Sequence, residues 1–177
     1  MRLFVALELP WKLRERLSLM AGGVPGARWV SPENYHLTLR FIGETQAHAA
    51  EDIDLALAGL HARGFTLTLA GVGSFAKGGR VNSLWAGVER SQQLDHLQNK
   101  IETALQRVGL EPDRRRFTPH VTLARLDNPV EARLAAFVQA NSLFRAEPVE
   151  VGHFTLFSSR LGKEQAAYCA EVEYALG

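Results

Sequence analysis

Two short stretches carry a residue pattern with chemical use. "PENYHLTLRFIGE", starting at Pro32, and "RFTPHVTLARL", starting at Arg116, both contain His-apolar-Thr-Leu. On a strand, residues i and i+2 share a face. His36 and Thr38 therefore point together, away from Leu37 and Leu39, and His120 and Thr122 point together, away from Val121 and Leu123. The apolar partners hold each strand on a core and the polar pairs are presented on its other face. A single His-x-Thr is unspecific, and one histidine on a strand is more often structural than catalytic. The same pair repeated once in each half, with similar flanks, is not explained as surface filler.

Side by side, two such strands make a four-point site. Two imidazoles supply one proton acceptor and one proton donor near neutral pH. That pair suits in-line displacement at phosphorus, where one group deprotonates the attacking oxygen and the other protonates the leaving oxygen. Two threonine hydroxyls can donate to the non-bridging oxygens, where charge builds in the transition state. This chemistry requires no metal, and the sequence has no His-x-His or His-Glu-x-x-His spacing. We expect neither metal nor cofactor. So modest a catalytic outfit favours an activated, strained phosphodiester, and a cyclic phosphate on ribose is the natural candidate. Arg125 lies five residues past His120 and is a candidate for binding phosphate or ribose. By alternation Arg40 shares the His36/Thr38 face and is a second candidate. The Arg114–Arg116 run precedes the second motif and offers phosphate attraction to an RNA strand.

Other residues invite plainer readings. His48, His61, His96 and His153 lack repeated neighbours and read as surface or satisfied core residues. Gly71, Gly73, Gly78 and Gly79 lack the Lys-Ser/Thr ending of a phosphate loop and read as turn or bulge positions. Cys169, the only cysteine, reads as a small buried hydrophobe and excludes an intramolecular disulfide or a cysteine zinc site.

The elements that must position these residues follow from the pattern of apolar positions. "RLFVALEL" reads as a largely buried opening strand. Pro10 starts a helix with Trp11, Leu13, Leu17 and Met20 inward, ending near Gly22-Gly23. "ARWV" is a short strand leading into the first motif strand, in which Tyr35, Leu37, Leu39 and Phe41 alternate with His36, Thr38 and Arg40. Thr45 is the expected N-cap of a helix closed by Gly64. Phe65 to Phe75 forms a hairpin with the strand around "VNSLWAGVE". Leu94, Leu97, Ile101, Leu105 and Val108 mark a helix ended by Gly109. Asn128-Pro129 opens another helix, to about Asn141. "PVEVGHFTLFSS" and "QAAYCAEVEYAL" close the chain as two strands.

Helices fall between hairpins and not after every strand, which indicates α+β with mixed or antiparallel sheet. The 177 residues suit one domain over 1–177, and no Pro/Ser-rich linker divides them. A formal net charge of +1 excludes global polybasic character, so nucleic acid must be bound by a local patch. With 46% hydrophobic residues and no apolar run of membrane-spanning length, we expect a soluble cytoplasmic monomer with no membrane association.

The blocks "RLFVALELP", "NYHLTLRFIGE", "FTPHVTLAR" and "HFTLFSSRL", in this order over nearly the whole chain, resemble the bacterial and archaeal RNA 2',3'-cyclic phosphodiesterases, also called 2'-5' RNA ligases, of the 2H phosphoesterase superfamily. The resemblance implies a bilobal α+β fold with two mostly antiparallel sheets flanking a central cleft, pseudo-twofold symmetry and helices outside. It implies metal-independent hydrolysis of RNA 2',3'-cyclic phosphate ends to 2'-phosphate, with a minor reverse 2'-5' ligation. By the family's pattern His36 is the general acid on O3' and His120 the general base, while Thr38, Thr122 and Arg125 bind the substrate phosphate. The residues alone do not decide which histidine is which, and Arg40 matches no defined position of that pattern. Two other readings remain open. One is a 2H phosphoesterase for a small cyclic nucleotide or ADP-ribose cyclic phosphate. The other is a non-catalytic protein that binds RNA ends.

Overall fold

The computed structural model describes all 177 residues. The chain opens with β1 (Arg2–Glu8), α1 (Trp11–Ser18), β2 (Ala27–Trp29), a 3-10 turn at Pro32–Asn34, and β3 (His36–Glu44). It continues with α2 (Ala47–Ala58), β4 (Phe65–Leu67), β5 (Leu69–Lys77), β6 (Arg80–Val88) and α3 (Gln92–Arg107). The remainder is β7 (His120–Leu126), α4 (Glu131–Ala140), β8 (Val149–Val151), β9 (His153–Arg160) and β10 (Ala167–Ala175).

Eight strands form one antiparallel sheet in the order β10-β9-β1-β3-β7-β6-β5, with β2 also on β7; β4 and β8 form a separate pair. The motif strands β3 and β7 lie at the centre. Each heads its own half, β3-β1-β9-β10 on one side and β7-β6-β5 on the other. The halves share a single ladder pair, Leu37 with Val121. Both side chains are fully buried, each worth roughly 1.5–3 kcal/mol of burial. An apolar pin thus joins two sheet regions that share no other ladder pair, and the cleft opens on the opposite face. The α2 and α3 helices pack together on the core side, and α3 contacts β3 from behind. One continuous core of 33 buried residues draws on both halves.

Helix boundaries differ from expectation where capping chemistry was read from residue type. Gln46 occupies the cap position of α2 without a side-chain bond, while the Thr45 hydroxyl donates to the Gly43 carbonyl at 2.9 Å. That helix ends at Gly59, not Gly64. Asn128 adopts a left-handed φ of 47°, so α4 starts only at Glu131. Trp11 is 51% exposed, not inward, with the Arg14 guanidinium 5.9 Å over its ring. In α3, Leu94, Leu97, Ile101 and Leu105 are buried as expected, but Val108 lies just past the helix and is 37% exposed; Ser91 caps the start by accepting from the Leu94 amide. The β5–β6 hairpin turns on Gly78 (φ 61°) and Gly79 (φ 78°), the two consecutive positive φ values of a type I′ turn.

Candidate active site

The pairing of Leu37 with Val121 sets the site. In an antiparallel register, one step to either side sets His36 towards Thr122 and Thr38 towards His120. All four polar residues then lie on the face opposite the buried pin. They line one cleft of about 1000 Å3, together with Arg125, Phe41, Phe75, Tyr168 and Ser83.

Both motif strands contain a bulge directly after the threonine. Along β3, Thr38 pairs with Ala6 and Arg40 with Val5, leaving Leu39 as the extra residue. Along β7, Thr122 pairs with Trp85 and Ala124 with Leu84, leaving Leu123 extra. An extra residue reverses the alternation beyond it. Arg125, an odd number of residues from His120, therefore returns to the cleft face. Arg40, an even number from His36, turns away from it. Its place on the cleft face is taken by Phe41, which was expected in the core and is 51% exposed. The expectation that Arg40 shares the His36/Thr38 face is thus corrected. Its guanidinium, only 7% exposed, pairs with Glu102 of α3 at 2.5 Å and donates to the carbonyls of Phe41 and Glu111 at 2.6 Å each. Burial pushes the Glu102 carboxyl up. Its bonds from Arg40, the Asp113 amide and Gln106 outweigh that and hold it below its ordinary value.

The two imidazoles are held alike. His36 Nδ1 bonds the Asn34 carbonyl at 2.7 Å, and His120 Nδ1 bonds the Thr118 carbonyl at 2.6 Å. A carbonyl only accepts, so each Nδ1 carries the proton and each Nε2 is the nitrogen left to react. Aromatic rings fix the ring planes. His36 lies 4.9 Å from Phe4 and edge-on to Tyr168 at 5.1 Å. His120 lies edge-on to Phe75 at 4.8 Å, with Trp85 at 6.1 Å. Gly73 permits this packing, because a Cβ there would fall 2.3 Å from the Trp85 ring.

Burial lowers the pKa of both histidines. His36 falls to about 4; the Asn34 carbonyl opposes the shift, and His120, Arg125 and Arg14 add to it. His120 is lowered by burial and by Arg125, against the Thr118 carbonyl. Both rings are thus neutral near pH 7 in the free protein. An anion bound beside Arg125 would offset its charge and favour protonation of one of them.

Several cleft residues were not singled out from sequence. Arg2, Arg28 and Tyr168 line it, beside Arg115 of the basic run that the sequence did mark. Arg28 belongs to a three-residue strand, too short for a periodicity, and Tyr168 depends on the pairing of β10 with β9. Cys169, expected buried, is exposed. His153 bonds Glu8 at 3.3 Å. With Glu173 these two could hold a cation, their ligand atoms lying within 4.8 Å of one another; neither His36 nor His120 is among them. A second hollow of about 740 Å3, around His61, His96 and Lys100, shares no residue with the cleft. No helix is long and apolar enough to cross a membrane.

The 2'-5' RNA ligase superfamily profile matches residues 21–163. An RNA 2',3'-cyclic phosphodiesterase of Aeropyrum pernix is 36% identical over 149 residues, 84% of this chain and 82% of that protein. Its counterpart in Archaeoglobus fulgidus is 31% identical over 95% of this chain and 96% of its own length. Among solved structures, Escherichia coli LigT complexed with 3'-AMP superposes with a TM-score of 0.81 at 27% identity, covering 99% of this chain and 97% of that one. With the sequence match and the superposition both running through the paired histidine strands, the chain belongs to the 2'-5' RNA ligase superfamily.

Proposed function

We propose that the protein hydrolyses RNA 2',3'-cyclic phosphate ends to 2'-phosphates by two-histidine acid/base catalysis without a metal. One observation carries the reading. Two imidazoles, one from each half, have Nδ1 fixed on a carbonyl just before their own strand and Nε2 free in a shared cleft. The names of the curated relatives supply the substrate class.

In this mechanism His120 Nε2 accepts a proton from water as the water oxygen attacks phosphorus. The P–O3' bond breaks in line, and protonated His36 delivers its Nε2 proton to O3'. The products are a 2'-phosphomonoester and a free 3'-hydroxyl. Thr38 and Thr122 donate to the non-bridging oxygens, and Arg125 balances their charge. A 5'-hydroxyl in place of water gives a 2'-5' linkage, the minor ligation. Phe41 and Tyr168 offer exposed ring faces in the same cleft, suited to stacking a nucleobase.

The test is a short RNA ending in a 2',3'-cyclic phosphate, incubated with the protein in excess EDTA, with the product end identified. The reading expects full turnover to a 2'-phosphate. A 3'-phosphate product would reverse the leaving group, and loss of turnover in EDTA would remove the metal-independent mechanism.

A further inference from the structure

The cleft holds more positive charge than chemistry at one phosphate uses. Arg2, Arg28, Arg115 and Arg125 line it against one carboxylate, Glu164. Two of these arginines stand directly opposite each other: Arg28 of β2 is the cross-strand partner of Arg125 of β7. On the other side of Arg125, β6 places Ser83 opposite it. Directly paired residues share a face, so Arg28, Arg125 and Ser83 form a row across three strands, facing the cleft. Like charges directly opposite destabilise a sheet. Here neither Arg28 nor Arg125 is in an ion pair, and both are exposed. An anion received by each of them turns the repulsion into charge-assisted hydrogen bonds.

If Arg125 serves the reacting phosphate, Arg28 is left for another. We propose that Arg28 binds the phosphodiester immediately 5' of the nucleotide carrying the cyclic phosphate, so that the cleft prefers an RNA chain to a single nucleotide. This rests on the phosphodiesterase reading and names its substrate class. Paired strands set the two Cα atoms roughly 4.5–5.5 Å apart, and two long side chains diverging from there serve neighbouring phosphates. The opposite half presents the exposed Phe41 and Tyr168, so the phosphates track the β2/β7 side.

The experiment compares three substrates: cytidine 2',3'-cyclic phosphate, a trinucleotide with that end, and the same trinucleotide with a neutral methylphosphonate at its last linkage. Arg28→Ala should raise KM for the trinucleotide on the order of tenfold and leave kcat, and the KM of the mononucleotide, within about twofold. The methylphosphonate should cost the wild type that same factor and the variant nothing; Arg28→Lys should fall between. An equal rise in KM for mononucleotide and trinucleotide, or no rise, overturns the proposal. Binding of a labelled trinucleotide with a 3'-phosphate separates the two readings. If the wild type cleaves none of the substrates, the phosphodiesterase reading fails. The clamp still predicts roughly tenfold weaker binding by Arg28→Ala and a salt slope smaller by about 0.7, and unchanged binding overturns it.

Discussion

Each cleft imidazole is defined by what its other nitrogen does. With Nδ1 committed to a backbone carbonyl, the two rings present equivalent Nε2 atoms, and their difference comes from surroundings. His36 is the more deeply perturbed, at about 4, and His120 is also lowered. The proposed mechanism needs one ring protonated and the other neutral, a form most abundant between the pair's two titrations. Both lie below 6.5, so above that pH the protonated partner is lost, and at sufficiently low pH the neutral one is. A profile of kcat/KM should therefore peak below pH 6.5 and decline as the pH rises towards neutrality. A maximum at or above pH 7 would contradict the assignment of these two groups. The His-x-Thr pairs were legible in the sequence because two residues of strand suffice to define a shared face. The fixed tautomers were not, because they depend on carbonyls of the residues leading into each strand.

At the scale of the element, the bulges after Thr38 and Thr122 decide which residues face the cleft. Alternation reads a strand as unbroken, and nothing in "HLTLRF" or "HVTLAR" marks Leu39 or Leu123 as extra. Alternation alone puts Arg40 in the cleft and Phe41 in the core, and the structure exchanges them. The equal order of buried and open positions at the start of β3 and β7 shows the bulge to be a shared feature of both halves. Arg40 then has a structural task, tying β3 to α3 and to the Glu111–Asp113 segment through Glu102. Arg40→Ala should destabilise the fold by about 3 kcal/mol, since it strands a largely buried carboxylate, while KM of the folded enzyme stays unchanged. Urea unfolding and steady-state kinetics on one preparation check both halves of this statement. A variant of native stability with a raised KM would return Arg40 to the substrate. Caps misled for a related reason. Thr45 and Asn128 are good capping types, but one bonds back into its own turn and the other takes a left-handed turn conformation.

Over the whole molecule, the interleaving of hairpins and helices made the α+β class legible, and the repeated motif pointed to two related halves. What the sequence could not display is how little joins them within the sheet: one ladder pair between Leu37 and Val121, backed by a common core. That pin must hold two half-sites in register. Leu37→Ala should cost about 2–5 kcal/mol and reduce kcat by more than it changes KM for a mononucleotide, because it loosens the relation between the histidines. Thermal unfolding and kinetics would show this; a variant that loses stability but keeps wild-type kcat would mean that other contacts set the register.

The central claim is that His36 and His120 act as one acid/base unit across the cleft. The most direct measurement is turnover of a cyclic-phosphate RNA end by His36→Ala, His120→Ala and the double variant, all confirmed folded. Joint action predicts that each single substitution lowers kcat on the order of 10²–10⁴-fold and that the double variant is scarcely slower than the worse single one. A single variant with wild-type kcat, or two losses that simply multiply, would contradict it.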